Sequence, residues 1–151
     1  MTQPQTDTAL LQLDGAEKSY TMGAVIVPAL KATNFTVCQG EFLMVLGPSG
    51  SGKTTLLNLI GGLDRPTAGR VEIEGRDIGA MRPGELSRLR MDRIGFIFQS
   101  YNLIPVLTAL ENAEYVLLLQ GVPKAERRVR ISSLFAQVGL AGLEDRFPRE
   151  M

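Results

Sequence analysis

The sequence contains no histidine, no tryptophan and only one cysteine, and its acidic and basic side chains balance at 16 each. Each shortage removes a class of function. The charge balance leaves no net basic field, so phosphate neutralisation alone does not draw the chain onto nucleic acid, and no nucleic-acid partner is expected. The lone Cys38 excludes an internal disulfide and fits a reducing compartment, with a core or edge position as its expected place. No apolar run approaches the ~20 residues that cross a bilayer; the longest are short, such as Phe42 to Leu46 and Val116 to Leu119. Met1 to Ala9 is polar and has neither the basic start nor the apolar stretch of roughly 7–15 residues that marks a secretory signal. Export by that route is not expected, and any membrane role falls to a partner.

What remains is an ordinary globular composition. With 151 residues, 44% hydrophobic and 21% charged, the chain is long enough to bury one core. Leu10 to Tyr20 and Leu30 to Val37 are loosely alternating apolar segments broken by Gly, Asn and Pro, which predicts antiparallel strands. Phe42 to Leu46 is continuously apolar and ends at Gly-Pro, as a strand buried on both faces of a parallel sheet would. Thr54 to Gly61 has helical spacing, and the Gly61-Gly62 pair suits its stop. Arg70 to Glu74 alternates between glycines and reads as a half-exposed strand, Pro83 opens a helix to about Met91, and Ile94 to Phe98 is a further apolar strand. Thr108 and Glu111 have the spacing of a capping box, placing a helix start at Thr108 that continues toward Gln120. A second helix follows from Pro123, with Ile131, Leu134, Phe135 and Val138 on one stripe and Gly139 as its stop. Arg127, Arg128 and Arg130 read as a solvated face of that helix, partly paired through Glu126 and Arg130.

The segment Gly47-Pro48-Ser49-Gly50-Ser51-Gly52-Lys53-Thr54 matches the phosphate-binding pattern G-x-x-x-x-G-K-[ST] in full. The glycines let the backbone wrap so that successive N–H groups point inward, and the following helix adds roughly half a positive charge at its N-terminus. Lys53 would reach the β- and γ-phosphates, and the Thr54 hydroxyl would ligate a bridging Mg²⁺, with Thr55 beside it in the ATP-binding set. Charge-assisted hydrogen bonds contribute about 1.5–3 kcal/mol each, so several converging donors support affinity without help from a base. Four constrained positions match by chance in roughly one in a few hundred chains of this length. An apolar run before the loop and a helix after it make phosphate binding the reading to carry forward.

The residues around the loop resemble the ATP-binding cassette family, specifically cassettes of the lipoprotein-release and macrolide-export type, over nearly the whole chain. Glu17-Lys18-Ser19-Tyr20 looks like the family's A-loop, which implies that Tyr20 stacks on adenine. Gly40-Glu41-Phe42, the run Leu56 to Asp64 and Pro66 to Gly69 continue the likeness. Ile94 to Gln99 looks like the strand ending in the Q-loop, which implies that Gln99 contacts Mg²⁺ and the attacking water, and Tyr101 to Pro105 resembles its continuation. The implied fold is α/β, a P-loop NTPase core with a flanking antiparallel β subdomain and a partial helical subdomain. Residues 1–151 would form one C-terminally incomplete cassette: a β-rich part at 10–46 and 70–79, the Walker A loop and helix at 47–62, the Q-loop strand at 94–99 and the helical subdomain at 108–151.

The resemblance implies an ATP-binding subunit that couples ATP binding and hydrolysis to an integral membrane permease. It would pair with a second cassette, as a homodimer in the full-length form, on the cytoplasmic face of the cell membrane. Family members hydrolyse ATP with an L-S-G-G-Q stretch, an apolar strand ending in Asp-Glu, and a later His. The sequence contains none of these, and Phe147 to Met151 resembles the approach to L-S-G-G-Q, so the chain is expected to stop inside that motif and to lack turnover by itself. Uncovered apolar edges then predict marginal stability or aggregation. Two alternatives stay open: a binding-only cassette without turnover, and another P-loop class such as a small-molecule kinase, a GTPase or a DNA-repair ATPase.

Overall fold

A computed structural model describes residues 9–151, so the polar start read above for an export signal lies, all but Ala9, outside the described residues. The chain divides into two compact units, one up to Ile94 and one from Gly95 to Met151.

The first unit is built on two long strands, β1 (Ala9–Met22) and β2 (Val25–Cys38), joined by a tight turn at Gly23, whose φ is 62°. They are followed by α1 (Lys53–Ile60), β3 (Ala68–Ile73), β4 (Arg76–Asp77) and α2 (Pro83–Arg93). The sheet has the order β2-β1-β3-β4 and is antiparallel throughout. β1 pairs with β2 along its whole length, but its register with β3 runs only from Leu11 to Glu17. Residues beyond Glu17 therefore continue as a two-stranded arm.

A bulge sets which residues of β1 face inward. Strict alternation from Leu13 would bury residue 15, but the register shifts between Leu13 and Ala16, and Ala16 is buried instead. Gly15, at φ 54°, carries the bulge. Gly69 of β3 passes so close to it that a Cβ there would lie 2.0 Å from the Gly15 carbonyl oxygen, so only glycine fits. Leu13, Ala16, Leu56, Leu59, Val71 and Leu89 meet in one core, to which α1 and α2 each contribute two leucines. The β3–β4 turn uses two residues of positive φ, Glu74 and Gly75, the pattern that matches strand twist in a tight hairpin. Arg93 holds the Glu74 carboxylate through Nε and a terminal nitrogen.

The second unit is a pair of helices, α3 (Ala109–Leu119) and α4 (Lys124–Gln137), with a 3-10 turn at Pro148–Glu150. The expected capping box at Thr108 is formed: Thr108 Oγ1 accepts from the Glu111 N–H at 3.2 Å, and the Glu111 carboxylate accepts from the Thr108 N–H at 2.8 Å. The N–H groups of Ala109 and Leu110 donate to the carbonyls of Arg146 and Glu144, so the end of the chain closes over the start of α3. Ala109, Ile131 and Phe135 form the core of this unit.

Three expectations are corrected. Phe42 to Leu46 and Ile94 to Phe98 are not strands and no parallel sheet forms among the described residues. A strand exists only where a neighbour completes its ladder, and neither run has one; Phe42 is 88% exposed and Ile97 is fully so. The rings of Phe96 and Phe98 stack on each other with centroids 5.6 Å apart. Second, only Ile131 and Phe135 of the apolar stripe on α4 are buried, while Leu134 and Val138 are exposed. Third, Arg127 is not solvated. It is buried beside Glu114 at 3.2 Å and also donates to the Val122 carbonyl at 2.7 Å, whereas Arg130 pairs with Glu126 on the exposed face as expected.

Candidate nucleotide site

The glycine loop joins the apolar run after β2 to α1. Gly50 and Gly52 take φ values of 78° and 91°, which L side chains adopt only under strain. Gly52 is doubly constrained, because a Cβ there would sit 2.7 Å from the Ala29 carbonyl oxygen. Ala29 is itself the extra residue of a bulge in β2, since Lys18 pairs with Leu30 and Ser19 with Pro28. The bulge and the glycine together let the hairpin approach the loop closely. At Gly47 a Cβ would meet Ser51 Oγ at 2.7 Å.

Gly52 caps α1 without any side-chain hydrogen bond to the first turn, and no acidic residue lies in that turn. The N-terminal donors of the helix are therefore not taken by a side-chain cap, and the helix dipole favours an anion there. Lys53 Nζ donates to the carbonyls of Gly47 and Pro48, at 2.7 Å each, which holds the ammonium across the loop. Pro48, Ser49, Gly50 and Ser51 are exposed, as is Thr54, while Thr55 is half-buried. The residues fit an oligophosphate: a backbone cradle that side chains would fill, one lysine at its mouth, and a hydroxyl at Thr54 of the kind that ligates Mg²⁺.

Tyr20 stands on β1 opposite Val27, in the two-stranded arm, and is 39% exposed. Its hydroxyl donates to Asp64 Oδ2 at 2.9 Å. Partial burial, then the hydrogen bond to Asp64 and its negative charge, raise the Tyr20 pKa, and Thr55 acts in the opposite direction. That interaction brings Tyr20 beside the first turn of α1. Asp64 also accepts from Lys18 Nζ at 2.5 Å and from the Arg65 N–H at 2.7 Å. Partial burial pushes its carboxyl upward, but the donors around it outweigh that and hold it below the usual carboxylate value.

Tyr20, Thr55 and the loop 47–54 thus lie in one unit. Gln99 lies in the second, exposed and just past the apolar run at 94–98. Sequence reasoning passed over Lys18 and Asp64. Lys18 left one local sign, standing two residues before Tyr20 and hence on the same side of the strand. Asp64 left none, since its side-chain partners Lys18 and Tyr20 are more than 40 residues away.

No helix among the described residues is long and apolar enough to cross a membrane. The family model described as ABC transporter matches residues 30–151. An uncharacterized ABC transporter ATP-binding protein of Thermotoga maritima is 48% identical over 131 residues, covering 87% of this chain and 56% of the relative. The macrolide export ATP-binding/permease protein MacB of Marinobacter nauticus is 45% identical over 131 residues, 87% of this chain and 20% of its own length. Among solved structures, the dimeric post-hydrolysis state of the ATP-binding cassette MJ0796 bound to ADP and Pi superposes with a TM-score of 0.85 at 41% identity. It covers 93% of this chain and 62% of its own. A protein of that name belongs to Methanocaldococcus jannaschii. The chain thus spans little more than half the length of the ABC transporter ATP-binding proteins it matches.

Proposed function

The chain belongs to the ABC transporter family of ATP-binding cassettes, and on that premise we propose that it holds Mg-ATP on Gly47 to Thr54 as the energy-coupling part of a transporter. The observation that carries the reading is the fit of the loop: glycines where a Cβ would collide, an uncapped helix start, and Lys53 fixed across the mouth. Backbone N–H groups of the loop and Lys53 would take the phosphates, Thr54 would hold Mg²⁺, Thr55 would lie beside it, and Tyr20 would offer its ring to adenine. Bound Mg²⁺ supplies neutralisation of the phosphate charge. Gln99 is assigned the contact to Mg²⁺ and water by family resemblance alone.

In the whole protein this cassette would work with a second cassette and an integral membrane permease, on the cytoplasmic face of the membrane, in lipoprotein release or export. The likeness to an export protein with a fused permease and to a dimeric cassette supports those partners. The kinase, GTPase and DNA-repair readings fall away with the family assignment. Calorimetric titration of the chain with Mg-ATP tests the site. Binding that Lys53→Ala abolishes supports it, and binding that survives the substitution refutes it. Phosphate release measured on the same samples separates a hydrolysing cassette from one that only binds.

A further inference from the structure

The Lys18–Asp64–Tyr20 cluster has no part in holding phosphate, yet it joins the arm that carries Tyr20 to the segment that follows the phosphate-loop helix. That segment is well fixed. After α1 ends, the N–H groups of Leu63 and Asp64 both donate to the Asn58 carbonyl, turning the chain back along the helix. The Thr67 N–H donates to the Glu17 carbonyl at 2.8 Å, and the Ser19 N–H donates to Thr67 Oγ1 at 3.2 Å, so the same segment is stitched to β1. Asp64 stands between these two anchors with both carboxylate oxygens engaged: Oδ1 by Lys18 and the Arg65 N–H, Oδ2 by the Tyr20 hydroxyl. Lys18 in turn donates to the Arg65 carbonyl at 2.8 Å, and its ammonium lies over the Tyr20 ring, 5.0 Å from the centroid.

We propose that Asp64 and Lys18 are positioning residues for the nucleotide base: together they fix the Tyr20 ring in the orientation in which its remaining face receives adenine. This rests on the assignment of Tyr20 as the adenine platform made above. The carboxylate pins the far end of the phenol, and the ammonium occupies one face, so a base has only the other face to stack on. A ring held before the ligand arrives does not lose rotamer freedom on binding, and that saved entropy appears as affinity. The cation also sits where the ring's negative face attracts it, which keeps Lys18 in place while it holds Asp64.

The test compares two ligands, Mg-ATP and Mg-tripolyphosphate, which shares the phosphates and lacks the base. The proteins are the chain itself and its Tyr20→Ala, Tyr20→Phe, Asp64→Ala and Asp64→Asn variants, plus the double variant with alanine substituted for both Tyr20 and Asp64. Asp64→Ala is expected to weaken Mg-ATP by about 3–10-fold and leave tripolyphosphate within about twofold. Tyr20→Phe, which keeps the ring and loses the tether, should match it. Asp64→Asn retains the shape and one acceptor and should fall between. In the Tyr20→Ala background, Asp64→Ala should add nothing. If tripolyphosphate binding falls in parallel, or if the two alanine substitutions weaken ATP additively, Asp64 acts on the loop itself and the positioning role is wrong. If Tyr20→Ala leaves ATP affinity unchanged, the platform assignment fails first and takes this inference with it. The two failures are thus told apart by the Tyr20→Ala result.

Discussion

Arg127 sets its guanidinium against the Glu114 carboxylate at 3.2 Å within the α3–α4 pair, with the two side chains only 10% and 12% exposed. Removing one partner of such a pair leaves the other charged and dry, which costs about 3 kcal/mol or more, whereas replacing both with apolar side chains is close to neutral. Glu114→Ala should therefore raise amide exchange throughout α3 and α4, and the double variant Glu114→Leu/Arg127→Met should recover most of the protection. A double variant that exchanges as fast as the single one would show that the pair is needed for more than its own neutralisation.

Gly52 offers a sharper perturbation of the nucleotide site. A methyl group there meets the Ala29 carbonyl oxygen and is held at a φ that costs roughly 1–2 kcal/mol for an L residue. Gly52→Ala should weaken Mg-ATP binding by at least about tenfold. Gly50 takes a similar φ but has nothing within 4 Å of its Cβ position, so Gly50→Ala should cost less. Equal losses at the two positions would show that the Ala29 approach contributes nothing.

The depressed Asp64 carboxyl gives a pH signature. A carboxylate whose folded pKa lies below its unfolded value adds stability that is present above about pH 4 and is lost as the pH falls through the folded value. Thermal stability measured from about pH 6 down to pH 2 should decline less steeply in Asp64→Asn than in the parent chain. Parallel curves would mean that Asp64 has no net coupling to folding.

Tyr20 carries the opposite signature at the alkaline end. Burial and the neighbouring Asp64 carboxylate disfavour its phenolate, so its neutral form is the one the fold stabilises. That contribution is complete below the unfolded value near pH 10 and is lost as the pH rises through the folded value. In an ultraviolet titration, Tyr20→Phe should remove a component that ionises above the usual tyrosine value. A titration curve that keeps that component in the variant would contradict the assignment.

The exposed apolar runs predict the behaviour of the chain in solution. Phe42 and Ile97 are exposed on apolar segments that pair with no strand, an arrangement that invites association. Phe42→Glu and Ile97→Lys should each lower light scattering at equal concentration without changing helix content. A monodisperse parent chain that melts cooperatively would remove the basis for this expectation.

What the sequence disclosed and what it hid follow from the range of each interaction. The glycine turn into α1, the Thr108 cap and the starts of the helices are written within a few neighbouring residues, and they stand where the sequence places them. The runs at Phe42 to Leu46 and Ile94 to Phe98 carry the composition of buried strands, but pairing is a property of a partner and not of the run. Arg127 looked like a surface charge because its partner lies on another helix, 13 residues back. The Asp64 tether is longer still, and no local pattern announces it.

The arm that carries Tyr20 is a cantilever. β3 stops pairing with β1 at Glu17, and a two-stranded ribbon twists more freely than a sheet, so the span outward of that point depends on contacts outside the sheet to hold it. The Asp64 carboxylate acts as a strut from the body of the unit to the free span, and it meets the span at the aromatic ring. A load applied to the ring is thus delivered to the segment after α1 as well as to the root of the arm, so that a base on the ring and phosphates on the loop, bound as proposed, would press on α1 from its two ends.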